Sequence, residues 1–329
     1  MKNREIHLVR RPEGLPRLED FALVETDIPD ISQGELLIRQ HYMSVDPAMR
    51  PRLTNGYELS KVMSGGALGR VVQTRNKDFA EGEWVRSALG FREFAISDGR
   101  GLSKLVPDAG IPLTAHMSVL GGTGFTAYGG LLEIAQLQAG EQVFVSTAAG
   151  AVGSIAAQIA KIKSCYVIGS TGSDEKAAWL RNEAGLDAVI NYKTTPIRQA
   201  LRAAAPKGID VYFDNVGGDH LDAALAAMNT RGRVAACGMI SGYNEAGART
   251  TVHNLSNIIY GRINIRGFVA TDFLHLQPQF QKDMREWLVS GKIKWRETVL
   301  EGLAEAPHAM VGLMQGENIG KMLVRLAPE

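Results

Sequence analysis

The sequence predicts an α/β protein of two domains, a mostly-β domain followed by a doubly wound parallel sheet, and three observations carry that expectation. The chain has 329 residues, and at roughly 150 residues per domain two cores are expected. Residues 1–115 fall into short alternating pieces broken by turn residues. From Gln142 an apolar strand, a Gly-rich turn, a helix and a second strand follow one another as in a βαβ unit.

In the first part, Glu35-Leu36-Leu37-Ile38-Arg39, Gly69-Arg70-Val71-Val72 and Glu83-Trp84-Val85 read as strands, separated by Gly, Pro and Asp, which favour turns. The period changes near Gly121. Gln142 to Ser146 is a strand, Val152, Ile155, Ala156, Ile159 and Ile162 share a helical face, and Tyr166-Val167-Ile168 is the next strand. Further strands are expected at 187–190, 210–213, 233–237 and 263–269, with Ala-rich helices at 174–183, 196–205 and 220–228 between them. That alternation is the pattern of a parallel sheet covered on both faces. A helix at 279–289 and a closing segment, Lys321-Met322-Leu323-Val324-Arg325, complete the chain. Domain boundaries are expected at 118 and 298.

Composition narrows the function. Hydrophobic residues make up 45% and charged residues 22%, which excludes a largely disordered chain. Lys and Arg total 36 against 35 for Asp and Glu, so the net charge offers no bulk attraction to nucleic acid or an anionic membrane. Any anion must be held locally. Cys165 and Cys237 are too few for a disulfide framework and suit a reducing compartment. The first residues carry charges throughout and no long apolar run follows, so neither a signal peptide nor a membrane span is expected, and a cytoplasmic location is. Glycine, at 36 residues, is well above the usual share of about 7%. Backbone is being brought close to something.

After the Gln142 strand comes Ala148-Ala149-Gly150-Ala151-Val152-Gly153, an A-x-G-x-x-G form of the dinucleotide fingerprint at a strand-to-helix turn. Gly150 admits a pyrophosphate, Gly153 permits close helix-to-strand packing, and the helix start attracts the anion. By itself such a hexapeptide is also a tight turn of any α/β domain; the flanking strands and helix favour the cofactor. NAD enzymes place a carboxylate on the ribose about 20 residues after the loop. Here that place holds Gly169-Ser170-Thr171-Gly172-Ser173, and Lys176 follows on the next helix. The room and the charge favour the 2′-phosphate of NADP(H). The alternative is that Asp174 grips an NAD ribose.

A catalytic zinc needs about three Cys, His or carboxylate ligands and a structural zinc usually four. Two cysteines 72 positions apart and seven scattered histidines offer no such set. No metal is expected, and with no G-x-S-x-G elbow neither is a hydrolase.

Val45-Asp46-Pro47-Ala48-Met49-Arg50, Ala148 to Ser154, Gly172-Ser173-Asp174-Glu175-Lys176, Asn191-Tyr192-Lys193, Phe213-Asp214-Asn215-Val216-Gly217-Gly218, Cys237-Gly238-Met239-Ile240-Ser241 and Glu317-Asn318-Ile319-Gly320-Lys321 together resemble the zinc-independent medium-chain reductases. The nearest branch is the leukotriene B4 dehydrogenase/prostaglandin reductase group, with its alkenal, enone and curcumin reductases. The resemblance covers essentially the whole chain in order. It implies a GroES-like N-terminal domain at 1–118, a Rossmann domain at 119–298, and a segment at 299–329 that returns to the first domain. It also implies NADP(H) as cofactor, an α,β-unsaturated carbonyl as substrate, and a homodimer.

By matching positions, Ala149, Gly150, Ala151, Val152 and Gly153 would hold the pyrophosphate and Lys176 the 2′-phosphate. Tyr192 would lie near the adenosine end, and Asn215 and Asn318 would hold ribose or nicotinamide groups. The backbones of Cys237, Gly238, Ile240, Ser241, Tyr243, Phe268 and Val269 would line the nicotinamide. Independently of the resemblance, Asn215 lies just past the carboxyl end of an expected strand, where open α/β sheets bind ligands. The family pattern often has an aromatic after Asp46-Pro47; Ala48 in this chain reshapes the pocket.

Hydride addition to the β-carbon of an enone builds negative charge on the carbonyl oxygen, so the protein must aim a hydrogen-bond donor there. Tyr260 matches a tyrosine that related reductases carry near the nicotinamide ribose and the substrate oxygen, and a phenol is a neutral donor at pH 7. It could equally be a helix or loop tyrosine of the core. Tyr57 is a second candidate substrate contact, against the reading of a plain surface-loop aromatic. Quinone reduction by the same cofactor and NADPH binding without turnover stay open as alternatives.

Overall fold

The computed structural model describes residues 2–244 and 251–329, which divide into two compact units, Met1–Met117 with Glu297–Glu329, and Ser118–Arg296.

The first unit is mostly β. Its strands are β1 (Lys2–Leu8), β2 (Phe21–Asp27), β3 (Leu36–Ser44), β4 (Lys61–Val62), β5 (Ala67–Thr74), β6 (Trp84–Ser87), β7 (Phe94–Ser97) and β8 (Ser103–Leu105), with the short helix α1 (Met49–Asn55) after β3. β3 is the spine, pairing antiparallel with both β5 and β7.

The second unit opens with α2 (Gly122–Gly129) and alternates β9 (Gln142–Val145), α3 (Gly153–Ile162), β10 (Tyr166–Thr171), α4 (Asp174–Asn182), β11 (Ala188–Asn191), α5 (Ile197–Ala204), β12 (Ile209–Asp214), α6 (Gly218–Ala227), β13 (Met228–Ala236), α7 (Asn257–Gly261), β14 (Asn264–Gly267) and α8 (Gln277–Val289). The six strands form one sheet in the order β11-β10-β9-β12-β13-β14, every pair parallel. The order reverses between β9 and β12, the strand pair at which Rossmann sheets bind dinucleotides. Phe144, Ile168, Ile190, Leu201, Ile209, Tyr212, Leu225 and Val234 fill the core, so the central strands read as apolar runs rather than as alternation.

The last residues return to the first unit as β15 (Glu297–Glu301), α9 (Ala306–Gln315) and β16 (Lys321–Arg325). β16 pairs with β3, and Leu303, Met310, Leu313, Met322 and Val324 pack with Ile6, Leu8, Met43 and Leu53 in one core. The two units have the architectures of a GroES-like domain and a Rossmann domain, respectively.

Candidate active site

The Gly-rich turn forms where the sequence asks for it. A Cβ on Gly153 would sit 2.3 Å from the Thr147 carbonyl oxygen, so only glycine lets α3 start this close to the end of β9. Ala148 donates its N–H to the Ser170 carbonyl at 2.9 Å, tying the turn to β10. Ala149 is buried, while Gly150, Ala151 and Val152 stay partly open at the start of α3.

At the next strand end, Ser173 caps α4 by accepting the Lys176 N–H at 3.3 Å. Burial lowers the pKa of the Lys176 ammonium and the nearby Lys193 cation lowers it further, with Glu175 opposing. Two like charges are thus held near each other in a partly desolvated place. The Tyr192 hydroxyl stands 2.9 Å, and the Lys193 stem 3.4 Å, from where a Gly172 Cβ would be. Gly172 therefore lets both side chains fold over the loop. Tyr192 also meets the His220 ring edge-on at 5.0 Å. Asp174 accepts the Asn191 amide at 2.8 Å.

The third cluster lies after β12. Asn215 is fastened to Ser146, at the end of β9, by its backbone N–H on Ser146 Oγ and its Nδ2 on the Ser146 carbonyl. The Asp214 carbonyl accepts the N–H groups of Cys237 and Gly238 at 2.8 and 3.0 Å, and the Asn215 and Val216 carbonyls accept those of Ile240 and Ser241 at 3.3 and 3.2 Å. Tyr243 closes a turn on the Ile240 carbonyl. The segment from Cys237 to Tyr243 is thus stapled to the strand end that carries Asn215. Burial, with Asp214 adding to it, pushes the Cys237 thiol up to about 12, so it is neutral and no nucleophile at pH 7. Phe268 packs at 6.2 Å from Phe213, while Val269 is exposed.

These features can be set beside known proteins. Residues 4–105 match a family described as the N-terminal domain of oxidoreductase, and residues 151–290 match one described as zinc-binding dehydrogenase. Prostaglandin reductase 1 of Rattus norvegicus is 41% identical over 95% of this chain and 96% of its own. The NADPH-dependent curcumin reductase of Escherichia coli K12 is 37% identical over 99% and 97%. The chain belongs to the medium-chain dehydrogenase/reductase family. Within that family it falls in the branch of prostaglandin, curcumin and alkenal reductases. The crystal structure of CurA in complex with NADPH from Vibrio vulnificus superposes with a TM-score of 0.93 at 38% identity, covering 99% of this chain and 100% of that one. One of the matched descriptions refers to zinc; among the described residues of this reductase no group of three or more His, Cys, Asp or Glu is placed to hold a metal.

The remaining candidates lie elsewhere. Asn318, in the first unit, is buried and donates Nδ2 to the Gly320 carbonyl at 2.7 Å. The next turn is anchored by Lys321, whose buried Nζ donates to the Val45 and Met322 carbonyls and lies 3.0 Å from Asp46. Tyr57 is not the plain surface-loop aromatic that the sequence also allowed. It is 6% exposed in the core of the first unit, its hydroxyl donates to the Ser64 carbonyl at 2.7 Å, and the Arg52 guanidinium lies over its ring. That hydroxyl is committed, which leaves only the ring to meet a substrate. Tyr260, on α7, is 78% exposed within this single chain, not a core tyrosine. Sequence reasoning passed over Lys193, Ser146 and Tyr212. Lys193 stood in a quoted motif beside Tyr192 and could have been found there; the buried pair carries no motif.

Proposed function

We propose that this chain is an NADPH-dependent reductase of the carbon-carbon double bond of α,β-unsaturated aldehydes or ketones. The observation that carries the cofactor is a strand end at which Gly172 makes room for Tyr192 and Lys193, Lys176 follows on the next helix, and Asp174 is bonded to Asn191. The reaction is favoured by the likeness, along nearly the whole chain, to reductases of this type.

In this reading Lys176 and Lys193 hold the 2′-phosphate, Tyr192 covers the adenosine end, and residues 149–153 with the start of α3 take the pyrophosphate. Asn215 and Asn318 hold ribose or carboxamide groups, and the backbones of Cys237 to Tyr243, Phe268 and Val269 line the nicotinamide. NADPH, when bound, supplies a hydride to the substrate β-carbon. The Tyr260 phenol donates a hydrogen bond to the carbonyl oxygen as charge gathers there. The ring of Tyr57 borders the substrate mouth.

The protein acts as a homodimer in the cytoplasm. What supports the dimer is β14: it ends the sheet, all four of its residues are exposed, and Ile259, Tyr260 and Ile265 crowd the same region with exposed apolar surface. A bare strand edge with exposed apolar side chains next to it invites pairing, here with a second copy. Among the described residues no helix is long and apolar enough to cross a membrane.

The test is NADPH oxidation against a panel of enals, enones, quinones and saturated ketones. Turnover confined to the enals and enones is expected. Turnover with the quinones alone would replace this reading by quinone reduction.

A further inference from the structure

Ser146 and Asn215 directly follow β9 and β12, the neighbouring strands between which the sheet order reverses. Their two hydrogen bonds bridge that point: Asn215 N–H to Ser146 Oγ at 2.9 Å and Asn215 Nδ2 to the Ser146 carbonyl at 2.7 Å. A third group holds the bridge from inside. The Tyr212 hydroxyl is 3.1 Å from Ser146 Oγ and 2.7 Å from Asp214 Oδ1. That same carboxylate oxygen accepts the N–H groups of Val216 and Gly217 at 2.9 and 2.8 Å. Ser146, Tyr212 and Asp214 are fully buried, and a connected buried network of this kind fixes geometry rather than merely filling space.

The amide of Asn215 has one donor branch and one acceptor branch. With Nδ2 held on a carbonyl, a flipped amide would set oxygen against oxygen, so Oδ1 is the atom turned away from Ser146. We propose that Ser146 and Tyr212 are positioning residues of the cofactor site, which lock Asn215 with its amide oxygen presented as an acceptor. The group Asn215 takes must then be a donor, a ribose hydroxyl or a carboxamide N–H. This rests on the reading that NADPH occupies this end of the sheet.

The experiment is a double-mutant cycle on NADPH dissociation constants, with thermal midpoints measured beside them. Ser146→Ala removes the hydroxyl and keeps the carbonyl; Asn215→Ala removes the amide. Ser146→Ala is expected to weaken NADPH roughly tenfold in the wild-type background and less than twofold in the Asn215→Ala background. Equal losses in both backgrounds, or a lower midpoint with an unchanged dissociation constant, would overturn the proposal by making Ser146 merely structural. Tyr212→Phe is the second variant. It preserves the ring stacked on Phe144 at 4.9 Å, and it should reproduce the loss and its coupling; no loss here would likewise count against the network. NADPH binding by the unmodified protein, and its weakening in Asn215→Ala, test the underlying reading. If both hold and the coupling is absent, only the positioning role falls.

Discussion

Asn191, at the end of β11, donates its side-chain amide to the Asp174 carboxylate at 2.8 Å. Of the two acidic residues in the first turn of α4, Asp174 is the one the sequence offered to an NAD ribose, and this bond ties it to the neighbouring strand end. Gly172 leaves room here for Tyr192 and Lys193, and Lys176 follows on α4. In the proposed reading the cofactor is chosen by charge. Lys176→Ala should weaken NADPH by about 1 to 3 kcal/mol, as for a charge-assisted contact, and leave NADH nearly unchanged. Dissociation constants for both cofactors check this, and equal losses would remove Lys176 from the phosphate.

The lowered pKa of Lys176 adds a pH dependence. An ammonium whose pKa burial lowers gives up its charge earlier as pH rises, and with it its attraction for the 2′-phosphate. The preference for NADPH over NADH should therefore shrink on the alkaline side. Binding both cofactors from neutral to alkaline pH tests it, and in Lys176→Met that slope should flatten.

His220 predicts where acid weakens the fold. Its ring is buried between Phe144 and Tyr192, and burial lowers its pKa from 6.5 to about 4. Between those values the unfolded chain binds a proton that the folded one refuses. The stability due to the neutral ring is thus complete above pH 6.5 and is lost progressively down to about pH 4. The full effect is on the order of 3 kcal/mol. Urea unfolding at pH 7 and pH 5 should show a loss in the wild type that His220→Phe reduces; an identical slope in the variant would assign the loss to other groups.

Tyr260→Phe keeps the ring and deletes only the donor. Enone reduction in a single turnover should slow roughly 10- to 1000-fold with little change in NADPH affinity. An unchanged rate would leave water or a ribose hydroxyl to meet the substrate oxygen.

Much of the Rossmann unit was legible because its central strands are buried on both faces and its turns need glycine. The strand after the Gly-rich turn, the helix expected at 174–183 and the place of Asn215 all follow from local pattern, and the observed elements Tyr166–Thr171, Asp174–Asn182 and Ile209–Asp214 lie close to those expectations. β13 was harder. It begins at Met228 rather than at 233, directly after α6, and its pairing with β12 slips between Ile209 and Val211. Arg231 has a φ of 66°, and the Gly232 Cβ position would lie 2.6 Å from Met228 Cε. Such an irregularity breaks the period that sequence reading depends on. The burial of Tyr57 was illegible for another reason: Asn55-Gly56 before it signals a loop, while the stacking of Arg52 and the bond to Ser64 are tertiary. The Tyr212–Ser146 contact joins residues 66 apart, and no local rule pairs them.

The central claim is hydride delivery to carbon rather than to a carbonyl, and isotope transfer measures it directly. The reductase should be given NADPH carrying deuterium at C4 of the nicotinamide, an α,β-unsaturated ketone and ordinary water, and the product read by NMR. The account predicts a saturated ketone with one deuterium on the β-carbon and a solvent proton on the α-carbon. Deuterium on the carbonyl carbon of an allylic alcohol, or no transfer to the enone while a quinone is reduced, would contradict it.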